Sequence, residues 1–268
     1  MNVDGRDRRD SGANALGRVG AEATTAFRTF TRRRTAVFFT FFFPVLLIVI
    51  FAGLIQTQPS GGGLFSKPTG YYVPGYLAVV VLFTPLSRIS SEVSRYRDDN
   101  RFEKLASTPL TRFEWLAAQT LVNMALIVVA SLLLLLALLA LGTEMTVSLW
   151  VVPFVVAGSV LFCGVGALIG HVATSQDGAI SMANGIAIPL LFLSETFVTP
   201  ELFPAWFRSV PRLSPLTYFA QGVRSAVYGA DPSTVAGTLG VTGNLAVLSV
   251  LAVVFFVAGG RSLRWTGD

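Results

Sequence analysis

Charge is scarce in this chain: 13% of its 268 residues are Asp, Glu, Lys or Arg, whereas 53% are hydrophobic. Fifteen acidic and twenty basic side chains are too few to surround the apolar core of a soluble domain of this length. The single cysteine, Cys163, excludes an intrachain disulfide. The single histidine, His171, excludes a zinc site built on two histidines, and no Gly-x-Ser-x-Gly nucleophile motif occurs in the sequence. We therefore predict neither catalytic nor metal-binding residues, which disfavours an intramembrane hydrolase.

Lysine is also scarce. The two lysines, Lys67 and Lys104, follow Ser66 and Glu103. A P-loop needs Gly-Lys-Ser/Thr, because the lysine and the neighbouring backbone N–H groups hold the nucleotide phosphates. The chain therefore lacks this ATPase motif.

Long apolar runs, in contrast, are abundant. A helix needs about 20 apolar residues to cross the hydrocarbon core of a bilayer, and lipid cannot satisfy peptide N–H and C=O groups that a helix leaves unpaired. The runs are uniformly apolar rather than alternating, which favours helices over barrel strands. We predict an all-α membrane protein with six transmembrane helices, at residues 35–55, 71–89, 115–141, 148–170, 178–194 and 239–260.

The basic residues lie mainly on one side of these predicted spans. With both termini inside, the cytosolic segments hold eight arginines before the first span, six basic residues from Arg88 to Arg112, and Arg261 and Arg264 at the end, against four basic residues outside. By the positive-inside rule, we predict a multi-pass protein of the cell membrane with both termini in the cytosol. The same distribution accounts for the net charge of +5 without nucleic acid as a partner.

The chain divides into two parts. Residues 1–14 are polar and are expected to form a disordered cytosolic tail, and residues 15–268 are expected to form a single transmembrane domain. From Ala15 to Thr31 the apolar residues recur at spacings of three and four: Leu16, Val19, Ala23, Phe27 and Phe30. This spacing predicts an amphipathic helix that lies in the membrane interface; a soluble helix packed on a partner is the alternative.

The longest charged run between apolar segments is Arg95–Arg112. Helical spacing from Ser94 to Leu105 predicts a short helix on the cytosolic membrane surface. Thr108 precedes a proline and is therefore disfavoured in the helical region, so the helix should stop there, with Pro109 early in the next helix. A plain solvated loop of the positive-inside type is the alternative interpretation.

This charged run resembles the segment between spans two and three of the type-2 ABC exporter permeases. The matching residues run Arg97-Asp98, Glu103-Lys104-Leu105 and Thr108-Pro109-Leu110, with Asn100-Arg101 where that family usually has Gly-Thr. Two further segments are similar to family motifs: Leu213–Tyr218 followed by Arg224, with Ser214 in place of the usual Asn, and Pro189–Ser194, with Glu195 in place of a Gly. The resemblance covers about Ala15–Arg261, nearly the whole chain.

The resemblance implies a permease that pairs with a second permease subunit, identical (a homodimer) or different (a heterodimer), and docks a separate ABC ATPase subunit, which binds ATP and Mg. The chain itself would bind no cofactor. The residues implied in coupling to the ATPase are Arg97, Asp98, Arg101, Glu103, Lys104, Leu105, Thr108 and Pro109.

A mixed stretch, Glu195–Ala230, precedes the last span. Amphipathic spacing predicts two short helices, over Pro200–Pro211 and Leu216–Val227, that dip into the outer leaflet as a re-entrant pair. The candidate pathway or outer-gate residues are Glu195, Trp206, Pro215, Tyr218 and Arg224. The carboxylate of Glu195 would either pair with Arg224 or Arg212 or face the pathway.

The function expected from these features is export of a hydrophobic or amphipathic molecule, drug-like or lipid-like, driven by ATP hydrolysis on the partner. An ion-coupled secondary transporter is the first alternative; it calls for ionisable residues at mid-span, and none lies well inside the six predicted spans. A channel or assembly subunit without ATP coupling is the second.

Overall fold

The structure is a computed structural model, and it describes residues 4–48, 50, 69–143, 148–198, 203–207, 209–227 and 239–265. Throughout that part of the chain the regular structure is helical. The nine α-helices found there are α1 (Asp4–Thr31), α2 (Arg34–Ile48), α3 (Val73–Asp98), α4 (Arg101–Ala106), α5 (Arg112–Ala140), α6 (Val151–Val172), α7 (Gln176–Phe192), α8 (Pro215–Val227) and α9 (Gly240–Ser262).

Among the residues that the structure describes, four helical segments are long and apolar enough to cross a membrane: Thr69–Asp98, Arg112–Ala140, Val151–Val172 and Gly240–Ser262. They correspond to the second, third, fourth and sixth predicted spans. The helices at the first and fifth predicted spans, α2 and α7, are apolar as well, but their described lengths are 15 and 17 residues. The complete six-span arrangement therefore stays a prediction.

Helix α6 lies at the centre of the bundle because glycines allow close approach on more than one face. A Cβ on Gly164 would collide with the main chain of Phe255 in α9, and one on Gly259 would lie 2.5 Å from the carbonyl oxygen of Gly164. On another face, a Cβ on Gly170 would lie 2.6 Å from the carbonyl oxygen of Ser90 in α3. Small residues at helix crossings replace the hydrophobic effect as the source of tight packing between membrane helices.

The outward faces of α5 and α9 are apolar. Leu132 and Leu136 of α5 and Val250 and Val253 of α9 are each more than half exposed. A soluble domain rarely exposes apolar area on this scale, whereas a bilayer accepts it. The core itself is also apolar, with Phe154, Phe162 and Phe219 among its fully buried side chains.

Helix α1 begins at Asp4 rather than at the predicted Ala15. The expected disordered tail over residues 1–14 is therefore helical from residue 4, and residues 1–3 lie outside the described part. No proline interrupts the segment, so nothing in it removes a backbone donor from the helix. Toward its C-terminal end, α1 packs on α5 through a buried group of four residues: Ala26, Phe30, Val122 and Leu126.

The segment between α7 and α9 differs in part from the predicted helix pair. The second helix is present as α8, but residues 203–207 and 209–213 form turns and a short 3₁₀ helix, Val210–Leu213, instead of the predicted first α-helix. Pro204 and Pro211 lack the N–H groups that a continuous helix would need there. Residues 199–202, 208 and 228–230 lie outside the described part.

Candidate functional site

The charged run is divided between three helices. Helix α3 continues past its predicted end at Ile89 to Asp98, the chain turns at Asp99–Asn100, and α4 occupies only Arg101–Ala106. The prediction of a single helix over Ser94–Leu105 is therefore wrong. The break is at Asn100, which has a φ of 52°, in the left-handed region that ends helices and that glycine and asparagine enter most readily. Asparagine thus suits the position where the resembling family usually has glycine.

The apolar face of α4 is fixed to the helix bundle by aromatic rings. Phe102 is 4% exposed, and its ring centroid lies 5.2 Å from that of Trp115 in α5, 5.5 Å from that of Tyr96 in α3 and 6.2 Å from that of Trp265. Leu105 is half-buried against the same group. Burial of one such aromatic side chain stabilises a fold by about 1.5–3 kcal/mol, so separating α4 from α3 and α5 would cost about this much.

The corner after α4 is formed by hydroxyl groups. Thr108 Oγ1 donates a hydrogen bond of 2.7 Å to the carbonyl oxygen of Leu105. Helix α5 then starts at Arg112 behind a capping box, in which the Thr111 N–H donates to the Glu114 carboxylate at 2.8 Å and the Glu114 N–H donates to Thr111 Oγ1 at 3.3 Å. The prediction that Pro109 belongs to the first turn of this helix is wrong, because Pro109 precedes the cap.

The predicted coupling residues lie together but in different surroundings. Arg97 donates to the carbonyl oxygens of His171, at 3.0 Å, and of Ala173, and it thereby ties the C-terminal end of α3 to the C-terminal end of α6, where a cation is favourable. Arg101 pairs with Asp99 at 3.0 Å. The remaining members, apart from the half-buried Leu105, are exposed, and these are Asp98, Glu103, Lys104, Thr108 and Pro109.

A polar network that joins α1 to α5 could not be predicted from the sequence. Arg18 of α1 contacts both carboxylate oxygens of Glu114, at 2.5 Å and 3.2 Å, and this hydrogen bonding raises the pKa of Arg18 above its ordinary value. Glu22, also in α1, accepts a 3.4 Å hydrogen bond from Gln119, and burial raises the pKa of its carboxyl group. Helix α1 is thus attached to α5, the helix that follows the charged loop.

A second ionic group joins the junction between α1 and α2 to α3. Glu92 is 7% exposed, and its carboxylate contacts Arg33 at 3.3 Å as well as Arg95 one turn along the same helix. Sequence spacing could identify the Glu92–Arg95 pair, but no local pattern connects Arg33 to Glu92.

At the opposite end of α3, Arg224 of α8 forms a clasp between three segments. Its side chain is 2% exposed and donates to the carbonyl oxygens of Tyr71 at 3.3 Å, Glu195 at 2.9 Å and Thr196 at 3.4 Å. Its guanidinium carbon also lies 4.0 Å from the centroid of the Tyr71 ring, within the range of a cation–π interaction. Arg224 therefore holds α8 against the start of α3 and the end of α7.

The Glu195 carboxylate has a different partner from the two arginines considered from sequence. It accepts a 2.6 Å hydrogen bond from Gln221 Nε2, while Arg224 binds the main chain of Glu195. Glu195 is 6% exposed, so this carboxylate is enclosed by protein.

The other candidate outer residues do not form one cluster. Pro215 and Tyr218 both belong to α8, and the Tyr218 hydroxyl donates to the carbonyl oxygen of Arg212 at 2.8 Å. Trp206 is 79% exposed and packs edge-on against Phe207. The structure thus brings Glu195 and Arg224 together, whereas the ring contact of Trp206 is with Phe207.

Comparison with known proteins covers both the charged loop around α4 and the segment around Arg224. A family model described as ABC-2 type transporter matches residues 20–228. The chain is 28% identical over 193 residues to the probable multidrug ABC transporter permease YbhS of Escherichia coli (strain K12), an alignment that covers 70% of this chain and 47% of that protein. It is 27% identical over 228 residues to the daunorubicin resistance ABC transporter permease protein DrrB1 of Streptomyces coeruleorubidus, covering 80% of each.

The chain spans about half the length of YbhS, so the match concerns a part of that protein. The family model, in contrast, covers most of the present chain, including α3, the charged loop and α8. The chain belongs to the ABC-2 type transporter family, the membrane permeases that its sequence resembles.

Proposed function

We propose that this chain is the membrane-spanning permease subunit of an ATP-driven exporter, coupled to separate ATPase subunits through residues 95–112. One observation carries the proposal. Helix α4 stands between two membrane-crossing helices, α3 and α5, with an aromatic face buried against both and a polar face exposed. A force applied to that polar face has a direct path into the bundle.

The ATPase partner would bind ATP and Mg, because this sequence has no P-loop of its own. Its docking surface would be the exposed side chains around α4, with Glu103 and Lys104 as the ionic contacts. The buried Phe102 and Leu105 would transmit the movement. Arg97 would act from within the chain, by carrying that movement to α6 through the carbonyl oxygens it binds.

Movement of α4 changes the pathway only if the partner binds two states of the permease with different affinity. In the proposed cycle, ATP-dependent closure of the ATPases pushes α4 and tilts α3 and α5 together, because one aromatic cluster joins all three. The pathway would form between two permease subunits and open outward near α8. Glu195 and the Arg224 clasp would lie at this outer end.

The proposed cargo is a hydrophobic or amphipathic molecule, drug-like or lipid-like. Two arguments support this class. The bundle interior is apolar along most of its length, and two relatives carry names that refer to multidrug transport and daunorubicin resistance. The positive-inside distribution places the termini and α4 in the cytosol in this proposal.

The decisive experiment reverses one charge on α4. The permease is co-reconstituted with its cognate ATPase in vesicles, and dye export and ATP hydrolysis are measured for Glu103→Lys. We expect export and cargo-stimulated hydrolysis to fall at least tenfold, since a charge-assisted contact at the docking surface is lost, while membrane insertion is unchanged.

The matched control is Asp177→Lys, which reverses an exposed acid in the first turn of α7, a different helix from α4. Its helix-terminal effect is small, about 0.3–1 kcal/mol, and export should persist. Normal coupling in Glu103→Lys would refute the docking assignment. Export that follows an imposed ion gradient without ATP would instead support a secondary transporter.

A further inference from the structure

A cleft of about 780 Å³ opens between α2, α3 and α7. Its apolar walls include Val79, Phe83 and Ile180, and its charged end is formed by Arg33, Arg88 and Glu92. We name it the Arg88 cleft. Its volume lies within the range of sites that bind small molecules.

Polarity changes along the cleft in one direction. On α3 the lining runs from Val79 and Val80 through Phe83 and Thr84 to Arg88 and Glu92. At 1.5 Å per residue this stretch is roughly 20 Å long, and one leaflet contributes about 15 Å to the hydrocarbon core of a bilayer. The cleft therefore matches the depth of one leaflet together with its headgroup level.

The charged end carries an excess of positive charge. Glu92 is already compensated by Arg33 and Arg95. Arg88 uses Nη2 to donate to Gln119 at 3.3 Å, and its guanidinium lies over the ring of Phe30, 5.7 Å from the centroid. Its Nη1, in contrast, is buried and has no hydrogen-bond acceptor within the described part of the chain.

An unsatisfied buried donor is uncommon and calls for an explanation. Arginine recognises phosphate through its planar fork of N–H donors, and a rotation of the Arg88 guanidinium toward the cleft that it lines would present this donor to a phosphate oxygen. Three consecutive basic residues at the junction between α1 and α2, Arg32, Arg33 and Arg34, add positive charge at the mouth.

We propose that the Arg88 cleft binds an anionic phospholipid. The phosphate would lie between Arg88 and Arg33, and one acyl chain would follow Val79, Val80 and Phe83 along α3. A free phosphate would satisfy the arginines but leave the apolar walls uncovered, whereas a neutral lipid would cover the walls without the charge interaction. Assignment to the cytosolic leaflet rests on the proposed topology; the binding itself does not.

The test measures lipid binding to the purified full-length chain in detergent, in the absence of the ATPase. Three probes are titrated and followed by thermal unfolding and native mass spectrometry: dioleoylphosphatidylglycerol, dioleoylphosphatidylcholine and inorganic phosphate. We expect phosphatidylglycerol to raise the unfolding temperature and remain bound in the gas phase at concentrations at least tenfold lower than phosphatidylcholine, and phosphate alone to have little effect.

Arg88→Gln should weaken phosphatidylglycerol binding about tenfold or more, since it removes the charged donor. Arg212→Gln is the matched control, because it makes the same change at an exposed arginine outside the cleft. If Arg88→Gln fails to fold, Ile180→Trp fills the apolar part of the cleft while Arg88 is retained, and it should also reduce binding.

Equal binding of the two lipids, or unchanged phosphatidylglycerol binding in Arg88→Gln and Ile180→Trp, would overturn the proposal. Phosphate as effective as the lipid would assign a free-anion site instead. A change of oligomeric state in these variants without a change in lipid binding would assign the cleft to a second copy of the chain. None of these results depends on export, so failure here leaves the proposed function standing.

Discussion

The Arg224 clasp allows a stability prediction to be worked out from contacts. Arg224→Ala removes one cation and with it the donors to three main-chain carbonyl oxygens, those of Tyr71, Glu195 and Thr196. A buried polar group left without its partner costs about 1–3 kcal/mol, and the lost cation–π contact over Tyr71 adds up to about 2 kcal/mol.

These losses are not additive, because α8 can relax and the buried guanidinium no longer has to be desolvated. We therefore expect the free energy of unfolding to fall by about 3–5 kcal/mol, the upper part of the range given by one unsatisfied buried polar group, about 1–3 kcal/mol, together with the cation–π contact, up to about 2 kcal/mol. The measurement is denaturant-induced unfolding of the purified chain in detergent, followed by tryptophan fluorescence.

Two further variants separate geometry from charge. Arg224→Lys keeps the positive charge but replaces the planar fork by a point charge, so it should recover no more than about half of the lost stability. Arg212→Ala changes an exposed arginine before the same helix and should shift stability by about 0.5 kcal/mol or less.

The reasoning is refuted if Arg224→Ala lowers stability by less than about 1 kcal/mol, the value of a single ordinary hydrogen bond. A lysine variant as stable as the wild type would show that charge alone matters at this position. Either result would leave Arg224 available as a pathway residue.

Three other predictions follow from local geometry. Asn100→Val should cost about 1–2 kcal/mol in thermal unfolding, since its φ of 52° is strained for a branched residue, whereas Asn100→Gly should be nearly neutral. Gly164→Leu should destabilise the chain by about 1–3 kcal/mol or more through overpacking against Phe255, and a loss of well-folded material in size-exclusion chromatography would report it. Burial raises the pKa of the Glu22 carboxyl group in the folded state. The contribution of Glu22 to docking of α1 is therefore fully present below the pKa of the unfolded carboxyl and is lost as pH rises through the folded-state pKa. Glu22→Gln should abolish this pH dependence in hydrogen exchange of α1, and an unchanged pH profile in the variant would contradict the prediction.

Much of the helical frame follows from sequence because hydropathy is a local property. The apolar runs predict spans at 115–141 and 148–170, and the helices found there are Arg112–Ala140 and Val151–Val172. The C-terminal end of α3 could not be located in this way, because residues 90–98 are mostly polar and nevertheless helical. Hydropathy locates the membrane part of a helix and not its end.

Some residues of the candidate site could likewise be predicted from the sequence, and others could not. Its exposed members, such as Glu103 and Lys104, could be predicted from the charge pattern and a family resemblance. The roles of Arg97 and Arg224 could not be predicted from the sequence, because both side chains donate to main-chain carbonyl oxygens, a group that every residue carries. Arg97 binds those of His171 and Ala173, far away in sequence.

The amino-acid sequence by itself determined that the chain is helical and apolar, where its charged loop lies and which family the loop resembles. These properties depend on composition and on neighbours within a few turns. Only the tertiary structure decided that Asn100 breaks the loop helix, that Phe102 fixes α4 to three other segments, and that Arg224 binds main chain rather than the Glu195 carboxylate. The physical reason is that these contacts join residues brought together by packing, and packing depends on the shapes of all the helices at once.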